Sequence, residues 1–291
     1  MISIVITAFK EPKTIGKALD CILSQDIKEE FELIVACPDK ETKDVVDKFE
    51  GVKHFHDPGK GKSYALNLMF KELKGDILIF TDGDVFLGDN SVNDIVDAFK
   101  DFKVGCVSGR VVSQNSKDNM LGYWSHLLAD VGAHRMRKEL SSQEKFFECT
   151  GYLFGIRANV IGDIPLDVAE DSIIPFYFFK KGYKVKYVSE AKVFVKNPDS
   201  FKDWLKQRKR TAGAHSKLNE YEKELPKMKS FKNEVREGVF AVWAYPGDVR
   251  ELYWTFVLIF ARLYMWCSLF LDEKFKKKYY NDGWDRVEST K

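Results

Sequence analysis

The sequence predicts an α/β fold with a mostly parallel central sheet. Three observations carry this. Four short β-rich runs fall at residues 2–8, 31–37, 52–56 and 76–81, and helical patterns fill the gaps between them. With 45% hydrophobic residues, the chain can also bury both faces of a sheet.

The first helical pattern, residues 14–24, places Ile15, Ala18, Leu19 and Ile22 on one face. Residues 42–49 and 63–73 fill the next two gaps, and 91–102 follows the fourth strand. Residues 104–112 form an apolar run that can extend the sheet, whereas 113–150 is polar and carries no clear period. Residues 146–157 read as extended. Residues 170–181 read as an aromatic-rich helix stopped by Gly182, and 185–188 and 193–195 as two short strands. Ligands on parallel sheets bind beyond the carboxyl ends of the strands, so the residues following each strand are the first candidates for chemistry.

Bulk properties narrow the function. Lys and Arg number 46 against 44 Asp and Glu, a balance that gives no footprint for nucleic acid. The five cysteines are widely spaced with no Cys-x-x-Cys pair, as expected of reduced thiols rather than disulfides or a zinc site. The chain opens directly on a strand with no signal peptide ahead of it, so the catalytic part is expected to face the cytoplasm.

Residues 252–271 stand apart. Only Thr255, Arg262 and Ser268 are polar among them, so the stretch is long enough to cross a bilayer. Arg262 at its middle would cost about 2.5–3.5 kcal/mol there. A core helix, an interfacial helix and a true span all remain open. The basic cluster at 274–278 extends the candidate membrane contact to residues 252–278.

The strongest chemical signal is Ile77-Leu-Ile-Phe-Thr-Asp-Gly-Asp-Val85, an apolar strand ending in two carboxylates, Asp82 and Asp84. Adjacent anions repel unless a cation or hydrogen-bonding ligand offsets them. Mg²⁺ typically takes one or two protein carboxylates and completes its shell with substrate phosphates. A polar turn is the plain alternative, but the strand end lies on the ligand edge of the sheet. Asp-Gly-Asp-Val also resembles a phosphatase nucleophile motif, which sits on a first strand rather than a fourth. Three weaker signals follow. Gly61-Lys-Ser-Tyr-Ala-Leu-Asn67 opens a helix where anions are favoured, Ala169-Glu170-Asp171 begins another, and Gln207-Arg-Lys-Arg210 offers guanidinium groups for phosphate.

In this order the features resemble the family 2 glycosyltransferases with the GT-A fold. Ser3-Ile-Val-Ile-Thr-Ala-Phe-Lys-Glu11 is similar to that family's opening strand and nucleotide-contacting turn. Gly61–Asn67 is similar to its Gly-Lys-x-x-Ala-Leu-Asn helix start. Asp82 and Asp84 match its Asp-x-Asp motif, Glu170-Asp171 its Glu-Asp motif, and Gln207 and Arg210 its Gln-x-x-Arg motif. Two departures stand out: Thr211 replaces the family's Trp, and Cys37-Pro-Asp-Lys40 replaces its Asp-Asp-Gly-Ser stretch.

The resemblance implies a Rossmann-like nucleotide-binding half at 1–112, an acceptor-binding half at 113–215 and a helical, membrane-proximal segment at 216–291. It implies an inverting enzyme that moves a sugar from a nucleotide-sugar donor, UDP-linked by expectation, to a hydroxyl of a glycan or lipid-linked acceptor. Asp171 is then the base beside Glu170. Asp84 and Asp82 hold Mg²⁺ or Mn²⁺, with Asp82 also at the ribose, and Arg210 and Lys62 support the diphosphate. Thr7, Ala8, Glu11, Asp39, Gly61, Asn67 and Gln207 complete the donor site. The tail Trp284-Asp-Arg-Val-Glu-Ser-Thr-Lys291 is similar to the gating loop of membrane-bound synthases, which puts Lys291 near the diphosphate. A sugar nucleotidyltransferase is the enzymatic alternative, but Thr7-Ala-Phe-Lys-Glu-Pro12 lacks that class's glycines. A catalytically idle, membrane-docking module is the other, and all the paired acids it would have lost are present.

Overall fold

A computed structural model describes residues 1–221, 241–276 and 290. Eight strands form one sheet: β1 (Ile2–Thr7), β2 (Phe31–Cys37), β3 (Val52–His56), β4 (Ile77–Asp82), β5 (Val85–Leu87), β6 (Val104–Ser113), β7 (Leu153–Arg157) and β8 (Lys184–Val195). Their order is β3-β2-β1-β4-β7-β6-β8-β5. The first four are parallel, as the strand–helix alternation requires. β7 then runs antiparallel between β4 and β6.

Both faces of this sheet are covered, which is why its central strands are continuously apolar. Ile4, Ile6, Leu33 and Val35 point to one face, under α1 (Ile15–Leu23) and α4 (Ser91–Ala98). Val5, Ile34, Leu78 and Phe80 point to the other, under α3 (Lys62–Met69) and α7 (Glu170–Lys180). α2 is Lys40–Val46. Gly182, at φ 85°, follows α7 in the left-handed conformation expected of a stop.

Three expectations change. The polar stretch 113–150 contains α5 (Met120–Ala129), a π-helical turn (Asp130–Arg135) and α6 (Met136–Ser142). The extended run begins only at Leu153. The two short strands near 185 and 193 are one long strand, β8, pairing with β6 across register shifts that absorb its polar middle. The expected halves 1–112 and 113–215 therefore share one sheet.

α8 (Phe201–Tyr221) and α9 (Val249–Lys276) pack with α5. The Trp124 indole donates to the Trp254 carbonyl at 2.7 Å, and the Tyr123 hydroxyl lies 2.6 Å from that of Thr255. Leu258, Ala261 and Met265 of α9 face inward at helical spacing and are buried. Tyr253, Phe256, Phe260, Tyr264 and Leu271 lie on the opposite side and are exposed. By length and composition α9 could cross a membrane, yet one face is committed to the rest of the protein. Among the described residues, 28% of its apolar window is buried.

Candidate active site

The carboxyl edge of the parallel strands gathers the acids. β1 ends at Thr7, whose hydroxyl donates to Asp82 Oδ1 at 2.8 Å, and the Gly83 N–H donates to the Thr7 carbonyl. Gly83, between the two aspartates, is where a side chain cannot fit. A Cβ there would lie 2.5 Å from Glu11 Oε2 and 2.8 Å from Ala8 Cβ. The turn after β1 thus closes against the Asp82–Asp84 corner and holds it tight.

That turn is anchored by Asp39. Its carboxylate accepts from the Lys10 N–H at 2.7 Å, and from the Thr42 N–H at 2.9 Å and hydroxyl at 2.7 Å as the N-cap of α2. Thr42 in turn accepts from the Glu11 N–H at 2.8 Å. Lys10 has φ 55°, a left-handed conformation that the Asp39 bond secures. Burial raises the Asp39 pKa, but these hydrogen bonds outweigh it and leave the carboxyl below its usual range.

The other half of the site arrives on α3 and α7. Gly61 caps α3 at φ 112° and ψ 160°, a conformation that favours glycine, and Lys62 follows. The Lys62 ammonium reaches Asp82 Oδ1 at 2.7 Å, Glu170 Oε1 at 2.8 Å and the Gly151 carbonyl at 3.3 Å. Burial works against its charge, yet Asp82 and Glu170 override that and hold Lys62 well above the ordinary lysine value. Beside it, Gly151 faces both acids of the Glu170-Asp171 pair. A Cβ on Gly151 would lie 3.4 Å from Glu170 Oε1 and 3.5 Å from Asp171 Oδ2. The Cys149 N–H donates to the Asp171 carbonyl at 3.0 Å, which ties the start of α7 to the segment leading into β7.

The structure therefore brings together Thr7, Ala8, Glu11, Gly61, Lys62, Asp82, Asp84, Glu170 and Asp171. Asn67 spends both ends of its amide on the Ile164 backbone, at 2.8 and 2.7 Å, so it pins a loop. Gln207 is on the packed face of α8, while Arg210 stands exposed at the rim. Lys291 lies outside the described residues. The sequence did not single out Tyr152, and it gave Arg208 no role beyond its place in the Gln207–Arg210 motif. Tyr152 feels Asp84, Arg210, Asp82 and Arg208; burial first, then Asp84, raises its phenol. The Thr81 hydroxyl donates to the Tyr152 carbonyl at 2.8 Å, placing it at the level of the Asp82 corner.

Two hard oxygen donors astride one glycine suit a divalent cation that draws its remaining ligands from phosphates. Among the described residues there is no cluster of three or more His, Cys, Asp or Glu that would make an all-protein cage.

A family model described as "Glycosyltransferase like family 2" matches residues 1–214, and the chain belongs to that family of glycosyltransferases. An N-acetylglucosaminyltransferase of Rhizobium meliloti (strain 1021) is 22% identical over 237 residues, covering 72% of this chain and 54% of that protein. The chain spans about half the length of the curated relatives it matches. A mannosyltransferase from Pyrobaculum calidifontis, solved with GDP-Man and Mn²⁺, superimposes with a TM-score of 0.65 at 17% identity, covering 95% of this chain and 88% of its own. S. aureus TarS residues 1–349, solved with UDP-GlcNAc, gives 0.51 at 15% identity, covering 96% and 92%. The fold is GT-A.

Proposed function

We propose that this chain transfers a sugar, with inversion, from a UDP-linked donor to a hydroxyl of a glycan or lipid-linked acceptor at the cytoplasmic face of a membrane. The observation that carries the reading is the convergence around Lys62 and Gly151 of acids from two distant motifs, Asp82 and Glu170-Asp171. An acceptor hydroxyl beside Asp171 gives its proton to that carboxylate as its oxygen attacks the anomeric carbon. The bond from that carbon to the diphosphate oxygen breaks in the same displacement, and the centre inverts. Asp84 and Asp82 would hold Mg²⁺ or Mn²⁺, which when bound neutralises charge on the departing diphosphate. Lys62 keeps Asp82 and Glu170 in place, and the Asp39-anchored turn fixes the Thr7–Glu11 wall against which the nucleotide packs.

A carboxylate base argues for a hydroxyl acceptor, because an acceptor phosphate is already an anionic nucleophile. The bound UDP-GlcNAc of TarS supports a UDP-linked donor, and the GDP-Man of the mannosyltransferase makes GDP-linked sugars the comparison set. The exposed apolar face of α9 supports seating at a membrane surface, with the helix lying along it rather than through it.

The test is Asp171→Asn, assayed with a panel of UDP- and GDP-linked sugars in Mn²⁺ or Mg²⁺. Turnover should fall about 10²–10⁴-fold, the usual share of a positioned base, while donor affinity stays near wild type. Equal loss of affinity and rate, or no turnover of any donor by the wild type, overturns the assignment.

A further inference from the structure

The segment Glu148–Gly151 leads into β7 but belongs to no strand itself. Glu148, Cys149 and Thr150 are buried, so their backbone groups need partners inside the protein. The Cys149 N–H donates to the Asp171 carbonyl of α7 at 3.0 Å. The Thr150 N–H donates to the buried Ser108 hydroxyl of β6, also at 3.0 Å, and the Gly151 carbonyl accepts from Lys62 of α3. Two further carbonyls go to one side chain. Arg137 of α6 donates from Nε to the Glu148 carbonyl at 2.9 Å and from Nη2 to the Cys149 carbonyl at 3.0 Å.

Arg137 is 6% exposed, and both of these hydrogen bonds are buried. In a regular strand successive carbonyls point to opposite sides, so one guanidinium fork that takes both holds the chain in a turn. The turn borders the chemistry. A Cβ on Gly151 would lie 3.5 Å from Asp171 Oδ2, so the segment flanks the carboxylate as well as gripping its main chain. Glu170 is secured differently, through its own side chain, by Lys62.

We propose that Arg137 is a positioning residue for the proton acceptor: it fixes the Glu148–Gly151 turn, which sets the place of Asp171 at the start of α7. The inference rests on the reading of Asp171 as the base and adds to it a residue that acts through Asp171 rather than on the substrates. Without the fork the two buried carbonyls seek other partners, and the turn and Asp171 shift with them. Displacing a catalytic group by about 1 Å can cost about 10²-fold in rate. The donor side is spared, because Lys62 keeps its contacts with Asp82 and Glu170.

The experiment compares Arg137→Lys and Arg137→Met with the wild type, alone and combined with Asp171→Asn, in the full chain with Mn²⁺. It follows release of nucleoside diphosphate from UDP- and GDP-linked sugars, with alkyl glycosides as the hydroxyl acceptors. Turnover is counted per nucleotide-binding site, measured by calorimetric titration with UDP or GDP, so unfolded protein does not enter. The methionine variant should lose about 10²-fold in kcat and the lysine variant part of that, with donor KM and nucleoside diphosphate affinity unchanged. In the Asp171→Asn background the same substitutions should cost little more, since both act on one group. Leu140→Ala trims the packed side of α6 without touching the segment, and should lower Tm while leaving kcat per site at the wild-type value. Ser108→Ala frees the Thr150 N–H without removing a charge, and carries the test, with a smaller loss of the same kind, if neither arginine variant folds.

Losses that multiply with that of Asp171→Asn, or donor affinity that falls in step with kcat, overturn this inference alone and make Arg137 a support of the fold. Full turnover in the folded variants does the same. If Asp171→Asn turns over at the wild-type rate, or the wild type turns over no donor, the reading of the base falls, and this inference with it.

Discussion

The Lys62 ammonium lies 2.8 Å from Glu170 Oε1, with Asp82 Oδ1 2.7 Å away, and through this contact the start of α3 grips the start of α7. The side chains of all three are less than a quarter exposed, so the contact is sheltered from solvent screening.

Lys62→Met should therefore be severe. Removing one partner of a buried pair leaves its carboxylates uncompensated, which typically costs about 3–5 kcal/mol. Urea unfolding should show a loss of that order, with transfer abolished. The pH dependence has a definite sign. The folded-state pKa of Lys62 is raised, so its stabilisation is fully present below about pH 10.5 and disappears as pH climbs through the higher folded value. Alkaline melting should destabilise the wild type relative to Lys62→Met above about pH 10.5. Parallel alkaline profiles for the two proteins would contradict the assignment.

Gly83 and Gly151 offer a matched contrast. Gly83→Ala forces a methyl to 2.5 Å from Glu11 Oε2 and 2.8 Å from Ala8 Cβ, so the β1 turn or the acidic corner must move. Overpacking of this kind costs about 1–3 kcal/mol, and divalent-cation-dependent turnover should fall with it. In Gly151→Ala the new methyl meets Glu170 and Asp171 only at ordinary contact distances, 3.4 and 3.5 Å. Its Tm should stay near wild type. Thermal melts of the two variants decide the matter, and equal Tm losses would refute the described packing.

The outer face of α9 predicts membrane seating. Replacing Phe256, Phe260 and Tyr264 together by Ser removes three exposed aromatic side chains that point the same way. Partitioning onto vesicles of anionic phospholipid should drop about tenfold or more, given about 0.8 kcal/mol for each methylene-sized apolar group withdrawn from lipid. Nucleotide affinity in solution should not change. Vesicle co-sedimentation that is indifferent to the substitutions counts against the seating.

Much of the fold was legible because it is local. The strands β1 to β4 are apolar runs separated by helices of the right period, and the acids follow the fourth as parallel-sheet logic requires. What could not be read was nonlocal. No pattern announces that β7 inserts antiparallel between β4 and β6, or that a polar middle interrupts a single strand β8. Arg208 was read only as one of the guanidinium groups of its motif, with no role of its own, for a related reason. The packed row of α8, Trp204-Gln207-Arg208-Thr211, is mostly polar, so hydrophobic periodicity gives the helix no phase and cannot say which arginine turns inward. Nor can spacing along the chain reveal that residues 62, 82 and 170 meet.

The antiparallel insertion of β7 bears on how the protein can move. Hydrogen-bonded to β4 on one side and to β6 on the other, it joins the strand that ends at Asp82 to the later strands in one continuous slab. The halves cannot part like jaws on a hinge, because opening them would tear two ladders. Traffic of reactants and products must therefore pass over the rim of this slab rather than through a cleft that opens across it.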